Sequence, residues 1–493
     1  MEPHSGERLT AGKVTNDNAM GLGFSGLASD SRAVKPGYLF AALPGTKADG
    51  ARFIPDAVKR GAVAVLARPE AAQEARALGV HFIADENPRL RLAKFAAAFY
   101  GRQPRDVAAV TGTNGKTSVT VFLRQIWARL GHPAASMGTI GVVTPKGAFE
   151  LGHTTPDPIE IHAALAALAR EGVDRLALEA SSHGLDQFRL DGVDIAAAGF
   201  TNITRDHLDY HASFESYLAA KLRLFREVVR ADGAAVVNAD AGHAGDFLKA
   251  AQARRLRVLS VGESGDALKL VTREAFEDGQ RLGILFEGRT YAVSLPLAGS
   301  FQASNALVAA GLAIALGDDA AKVFAALEHL KGAPGRLEKV AYAKTGAPIY
   351  VDYAHTPDAL ETVLTALRPH VSGKLHVIFG CGGDRDKGKR PLMGEAAAKH
   401  ADRVIVTDDN PRTESASAIR AEARAGCPLS VEIGNRATAI RAGVAALEKG
   451  DALVIAGKGH ESGQIVGAVV HPFSDREKAV EAALILGGRA VGA

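Results

Sequence analysis

The sequence predicts an α/β fold in three domains, and three observations predict it. Short apolar, β-branched runs alternate with stretches whose apolar residues recur at helical spacing, the pattern of a mainly parallel sheet covered by helices. A helix stop at Gly101, followed by Gln103-Pro104, and a second break at Gly332-Ala333-Pro334-Gly335 divide that alternation into segments 1–104, 105–332 and 333–493. The 493 residues also suit domains of roughly 150 residues each.

In the first segment Tyr38–Leu43 and Ala62–Ala67 read as strands, with Phe53–Arg60 and Leu92–Tyr100 as helices. This is a small N-terminal α/β domain. The second segment opens with the strand Val107–Thr111. A helix follows, with Val119, Phe122, Leu123, Ile126, Trp127 and Leu130 on one face, until Gly131 and Pro133 stop it. Leu176–Ala180, Ile195–Ile203 and Ala234–Asn238 continue as strands. In the third segment the strands Ile349–Tyr353, Leu375–Gly380, Arg403–Thr407 and Ala452–Ala456, with the helix Ala359–Leu367, read as a C-terminal Rossmann-like α/β domain.

Apolar residues make up 47% of the chain and charged residues 23%, enough for real cores and a soluble surface. The net charge of +3 gives no reason to expect a nucleic-acid or membrane-surface partner. No apolar run approaches the ~18 residues of a membrane span. Met1–Thr10 is polar, with Glu2 and Glu7, unlike a secretory signal. Cys381 and Cys427 lie far apart, so neither a disulfide framework nor a thiolate zinc site is expected. The expectation is a cytoplasmic monomer.

Between the first strand of the second segment and its helix lies Thr111-Gly112-Thr113-Asn114-Gly115-Lys116-Thr117-Ser118. The glycines let successive N–H groups point at one spot, and the helix N-terminus adds a positive dipole end. Lys116 can neutralise outer phosphates and the Thr117 hydroxyl is placed for Mg. Val110 stands where the usual spacing has glycine, so the loop is a tighter variant. A glycine turn that merely caps a helix explains the lysine poorly. The middle segment therefore reads as a central P-loop-type ATPase domain with a mainly parallel sheet.

A helix expected over Ser213–Val229 carries the apolar stripe Phe214, Tyr217, Leu218, Leu222, Phe225, Val228 and Val229, and Lys221 falls within it. A buried ammonium is costly unless paired, neutralised or shifted in pKa. Snorkelling to solvent is the ordinary alternative; beside a phosphate loop, a working lysine is favoured. His207 and His211 stand at zinc-ligand spacing, but Leu208 occupies the place of a metalloprotease glutamate. Glu179 ends a strand, where α/β sheets place ligands, and reads as a Mg ligand in preference to an ordinary acid.

Together these pieces resemble the Mur ligase family of peptidoglycan-precursor synthetases. The loop is joined by Thr154-Thr155-Pro156-Asp157, Glu179-Ala180-Ser181-Ser182-His183 and Asp206-His207-Leu208-Asp209-Tyr210-His211. Later come Asn305, Gly335-Arg336-Leu337-Glu338 and Asp352-Tyr353-Ala354-His355-Thr356-Pro357, so the resemblance spans almost the whole chain. Gly380–Pro391 and Gly457–Glu461 resemble the members that extend UDP-N-acetylmuramoyl-L-alanyl-D-glutamate. Asp409-Asn410-Pro411-Arg412 resembles those that add meso-diaminopimelate. His153 in place of asparagine, Ser118 in place of threonine and Leu337 in place of methionine depart from the pattern.

The resemblance implies an ATP-dependent, ADP-forming acid–amino-acid ligase that works through an acyl phosphate. It implies catalytic roles for Lys116, Lys221, His207 and Glu179, and a Mg site of Thr117, Glu179, His207 and a carbamylated Lys221. ATP would meet Gly112, Thr113, Asn114, Gly115, Lys116, Thr117 and Ser118, with adenine near Asn305 and Arg336 and ribose near Asp352. Ser29, Ser31, Arg32, Thr46, Lys47 and Ala48 would hold the uridine diphosphate sugar. His153, Thr154, Thr155, Ser181, Gln187 and Arg189 would hold its sugar–peptide part. The incoming amino acid would meet Arg385, Asp409, Asn410, Pro411, Arg412, Gly457 and Glu461. Meso-diaminopimelate carries a far carboxylate that lysine lacks, and Arg412 can hold it with two parallel N–H bonds. The competing readings are a lysine-adding relative, a folylpolyglutamate synthetase-like ligase, and a P-loop NTPase that hydrolyses without ligating.

Overall fold

Strands β1 (Gly26–Ala28), β2 (Tyr38–Ala41), β3 (Ala64–Ala67) and β4 (His81–Ala84) form a parallel sheet in that order. The helix Pro88–Tyr100 packs on this sheet through Leu92, Ala96 and Phe99, with Asn87 capping its start and Gly101 its end. The computed structural model describes residues 23–45, 49–207 and 210–491. They form two compact units. One runs up to Lys269 and takes in Leu307–Val323; the other comprises Leu270–Ala306 and the chain from Phe324 onward.

The first unit also contains β5 (Asp106–Thr111), β6 (Ala134–Gly138), β7 (Gly141–Thr144), β8 (Gly147–Phe149), β9 (Arg175–Glu179), β10 (Ile195–Phe200), β11 (Ala234–Asn238) and β12 (Arg257–Gly262). Their order is β12-β11-β10-β5-β9-β6-β7-β8, and β13 (Leu268–Phe276) begins beside β12. β5, β9, β10 and β11 are almost wholly buried, as strands covered on both faces must be. Their register pairs Val110 with both Glu179 and Gly199, and Phe200 with Thr111. Three strand ends thus open at one level, and the glycine loop follows the middle one.

Two elements differ from the sequence reading. β10 stops at Phe200 rather than Ile203, because Thr201 and Asn202 leave the ladder to bond the glycine loop. The helix expected to Val229 is α-helical over Phe214–Arg223 and continues as a π-turn, Leu224–Val228, closed by Val229 N–H to the Leu224 carbonyl. One extra residue per turn shifts the stripe without breaking it.

In the second unit β14 (Gly279–Phe286) and β15 (Arg289–Leu295) form an antiparallel hairpin. Then come β16 (Glu338–Tyr342), β17 (Pro348–Asp352), β18 (Leu375–Phe379), β19 (Arg403–Val406), β20 (Val431–Glu432), β21 (Ala452–Ala456), the hairpin β22 (Gly463–Val466) and β23 (Val469–Pro472), and β24 (Arg489–Ala490). The sheet order is β20-β19-β18-β21-β17-β16-β24, with a parallel centre and antiparallel β16 at one side. The loops after β17, β18, β19 and β21 leave from carboxyl ends, where open α/β sheets bind ligands. They carry Arg385, Asp409–Arg412 and Gly457–Glu461, and Asp352 is the last residue of β17.

Candidate active site

The glycine loop is held open by side chains from the neighbouring strand end. Thr113 N–H donates to the Asn202 carbonyl at 2.8 Å, and Asn114 N–H to Asn202 Oδ1 at 3.0 Å. Thr201 Oγ1 donates to the Asn114 carbonyl at 2.6 Å. Asn238, at the end of β11, in turn donates to the Thr201 carbonyl. Gly112 has φ 154° and lies against Thr201 so closely that a Cβ would overlap its hydroxyl. Gly115 takes φ 86° as the helix Lys116–Arg129 begins. Both glycines are thus required by conformation, one also by space.

Two lysines converge on one oxygen. Lys116 Nζ donates to the Gly112 carbonyl at 2.9 Å and to that of Thr113 at 2.9 Å. Lys221 Nζ donates to the same Gly112 carbonyl at 2.8 Å and lies 4.6 Å from the Tyr217 ring centroid. Lys221 is 1% exposed and does not snorkel. Burial first, and the Lys116 charge second, hold its pKa well below the ordinary lysine value, with Asp206 opposing. Tyr217, read in sequence as part of an apolar stripe, shares a 2.9 Å hydrogen bond with Thr113 Oγ1.

Glu179 is buried at the end of β9. Its Oε1 accepts from Thr117 Oγ1 at 3.0 Å and Thr139 N–H at 2.9 Å, and its Oε2 from Thr139 Oγ1 at 3.1 Å. Gly138 makes room for the carboxylate, since a Cβ there would overlap it. Thr139 also shares a hydrogen bond with Thr154, and Thr155 ties the Glu179 carbonyl to the Ser181 N–H. Ser118 is buried in the first turn of its helix, while His153 is exposed.

His207, with φ 53°, has Nε2 3.5 Å from Asp206 and its ring 5.0 Å from that of His183. His211 also packs on His183. Among the described residues no group of three or more His, Cys, Asp or Glu is placed to hold a metal ion. Of the other residues read as Mg ligands, Lys221 turns to Gly112, and His207 lies against Asp206 and His183. Thr117 and Glu179 do form a hard oxygen pair beside the loop. Mg takes one or two protein oxygens and fills its remaining positions from phosphate and water, so this pair fits it. The two ammonium groups and the loop fit a polyphosphate.

A cavity of ≈ 190 Å³ in the same unit gathers Ser29, Gln187 and Arg189 with Leu43, Arg89, Asp157 and Pro158. Arg189 donates to Gln187 Oε1 at 2.8 Å and the Thr155 carbonyl at 2.6 Å. Arg89 donates to the same Gln187 oxygen at 3.5 Å and to the Pro44 carbonyl at 2.5 Å. Burial lowers the pKa of both arginines. Sequence reading missed Arg89, which sits on an amphipathic helix with no motif around it. Ser31 is buried and Arg32 pairs with Asp30 at the surface. Thr46, Lys47 and Ala48 lie outside the described residues.

In the second unit Asn305 donates to Gln302 Oε1, and Gln302 to the Arg336 carbonyl. Both Asp352 oxygens accept backbone N–H groups, from Ala354 and Leu337, which pins the Arg336 loop. Burial raises the Asp352 pKa. Arg412, at φ 52°, donates to the Gly383 carbonyl at 2.7 Å, and Gly467 N–H to its own carbonyl. Asp409 lies against Gly457, with its pKa raised by burial, and Pro411 is buried beside it. Glu461 Oε2 accepts from Asn410 Nδ2 at 3.1 Å and Lys458 Nζ at 2.9 Å. Arg385 is exposed and donates to the Asp384 carbonyl.

Family models match along most of this chain: the Mur ligase family catalytic domain over residues 24–100, the Mur ligase middle domain over 110–313, and the Mur ligase glutamate ligase domain over 335–459. Similar proteins include UDP-N-acetylmuramoyl-L-alanyl-D-glutamate--2,6-diaminopimelate ligases of Bradyrhizobium diazoefficiens and Caulobacter vibrioides. The first is 58% identical over 94% of this chain and 95% of its own. The second is 55% identical over 93% and 95%. A solved structure of a ligase of the same name superposes with a TM-score of 0.71 at 35% identity, covering 94% of this chain and 95% of that one. No helix among the described residues is long and apolar enough to cross a membrane.

Proposed function

The chain belongs to the Mur ligase family, and from that premise we propose that it adds meso-diaminopimelate to UDP-N-acetylmuramoyl-L-alanyl-D-glutamate, with ATP cleaved to ADP, in peptidoglycan-precursor synthesis. The observation that carries the reading is the meeting of Lys116 and Lys221 on the Gly112 carbonyl. The two lysines and the loop N–H groups beside them suit a terminal phosphate.

The chemical problem is to bring one anion, the D-glutamate γ-carboxylate, against another, the γ-phosphate. A carboxylate oxygen attacks phosphorus and ADP leaves, giving an acyl phosphate. The amine of the incoming amino acid then attacks the acyl carbon, phosphate leaves, and the nitrogen loses a proton. The protein's share is positioning and charge stabilisation. Lys116 and the loop amides would hold the phosphate charge. Thr117 and Glu179 would hold Mg, which when bound supplies a further positive charge for the phosphate oxygens. His207, whose backbone N–H donates to Asp206, would be a further Mg ligand.

Lys221 has a second assignment. A buried lysine whose pKa is depressed gives up its proton more readily than an exposed one, and the neutral amine is the form that attacks CO₂. Loss of one proton then leaves a carbamate, turning a costly cation into an anion beside Lys116. We assign residues 1–104 to the nucleotide sugar, 105–332 to ATP and 333–493 to the amino acid. The ≈ 190 Å³ cavity at Ser29, Gln187 and Arg189 would take part of the sugar–peptide. Asn305, Arg336 and Asp352 would face the nucleoside. Arg412 and Arg385 would receive the far carboxylate of meso-diaminopimelate, and Glu461, Asp409 and the Gly457 backbone its ammonium. We further assign the protein to the cytoplasm, as a monomer.

Phosphate release measured with the muramoyl dipeptide and meso-diaminopimelate, L-lysine or glutamate in parallel tests this. Release requiring the dipeptide and meso-diaminopimelate together is expected. Preference for L-lysine or glutamate would overturn the substrate assignment, and release indifferent to both would make the protein a plain NTPase.

A further inference from the structure

Lys458 is 0% exposed, in the loop after β21. A fully buried lysine must be paired, and the way this one is paired has a direction. Its Nζ donates to Asn410 Oδ1 at 3.1 Å and to Glu461 Oε2 at 2.9 Å. Asn410 Oδ1 also accepts the Ile465 N–H at 2.9 Å, while Asn410 Nδ2 donates to the same Glu461 Oε2. An ammonium has donors only, so it fixes the amide with oxygen toward Lys458 and NH₂ toward Glu461. A flipped amide would set N–H groups against the ammonium and against the Ile465 N–H. The two donors occupy one Glu461 oxygen. The other, Oε1, takes no protein hydrogen bond among the described residues, and Glu461 is only partly buried.

The same triangle joins two loops. Gln464 donates to the Asp409 carbonyl, Arg412 N–H to the Ile465 carbonyl, and Gly467 N–H to the Arg412 carbonyl, which stitches Asp409–Arg412 to β22. Lys458 ties that stretch from the other side to Glu461. An ammonium acceptor, Glu461 Oε1, and a carboxylate donor, Arg412, are thereby set on one frame.

We propose that Lys458 is a positioning residue that orients Asn410 and Glu461, leaving Glu461 Oε1 open for the ammonium at the far end of the incoming amino acid. This rests on the proposed ligase reading. The binding energy it secures belongs to the amino acid alone, so its loss raises one KM and spares the others.

The test is steady-state kinetics of Lys458→Met with meso-diaminopimelate and with 2-aminopimelate, which keeps the far carboxylate and lacks the far ammonium. The expected result is a rise of about tenfold or more in KM for meso-diaminopimelate, with kcat and the KM values for ATP and nucleotide sugar within about twofold. With 2-aminopimelate the variant and wild type should then differ little. An unchanged KM for meso-diaminopimelate overturns the proposal, as does an equal loss with both amino acids, which a merely structural lysine would give. Should Lys458→Met fail to fold, Lys458→Gln, whose amide carries an acceptor as well as donors and so no longer fixes which way Asn410 faces, must show the same ammonium-dependent rise. Wild-type enzyme that cannot ligate meso-diaminopimelate overturns the function itself; wild type that ligates, with a folded variant unaffected, overturns only the role of Lys458.

Discussion

Lys221 and Lys458 are both buried lysines, one in each compact unit, and their surroundings give them opposite uses. Lys221 finds a carbonyl, an aromatic ring and a second cation, and its pKa is pushed far down. Lys458 finds a carboxylate and an amide oxygen. Burial alone therefore does not decide what a lysine does. The partner decides: Lys221, set against a carbonyl and a second lysine, is pushed toward losing its proton, and Lys458, bonded between a carboxylate and an amide, orients both.

Arg436 is the paired extreme and offers the strongest way to break the contrast. Its guanidinium meets Asp475 through two 2.7 Å bonds, with both side chains 0% exposed. Arg436→Met should cost about 3–5 kcal/mol in denaturant unfolding, because Asp475 is left charged and buried. A loss below about 1 kcal/mol would mean that pairing is not what makes such burial tolerable.

Lys221→Met should do the reverse to stability while removing activity, by about 10²–10³-fold. The folded-state pKa lies below the unfolded lysine value of 10.5. The unfolded chain thus binds more protons, burying Lys221 costs stability below pH 10.5, and the cost shrinks as pH rises toward that value. In carbonate-free buffer Lys221→Met should therefore melt higher than wild type at neutral pH, with the gap closing in alkali. A lower melting temperature at neutral pH would contradict this.

Smaller effects sharpen the difference between the two units. Arg412→Met should reduce the preference for meso-diaminopimelate over L-lysine by about 1.5–3 kcal/mol per charged bond lost, read from the ratio of kcat/KM values. Arg89→Met should raise KM for the nucleotide substrate about tenfold, roughly 1.4 kcal/mol, and leave KM for meso-diaminopimelate alone. If both KM values moved, Arg89 would be acting through the fold rather than through its cavity.

Sequence alone carried the glycine loop, the strand that feeds it and the odd placement of Lys221, because each is a local pattern of neighbours or of helical spacing. It did not carry Thr139, Thr201, Asn202 or Asn238. These reach Glu179, the loop and one another across strand ends that the sheet order brings together. Tyr217 was hidden by its own ring, which satisfies the apolar stripe while its hydroxyl reaches Thr113. The π-turn at Leu224–Val228 was invisible because an added residue changes the helical period only slightly. Lys458 sat inside a recognisable stretch, but the direction of its bonds depends on Asn410, forty-eight positions earlier.

The most direct test of carboxylate activation follows an oxygen atom. With the γ-carboxylate of the muramoyl dipeptide labelled with heavy oxygen, ligation should deliver one labelled oxygen into each phosphate released, detected by mass spectrometry. Phosphate that leaves without the label, while the amide bond still forms, would contradict an acyl phosphate at the Lys116–Lys221 site.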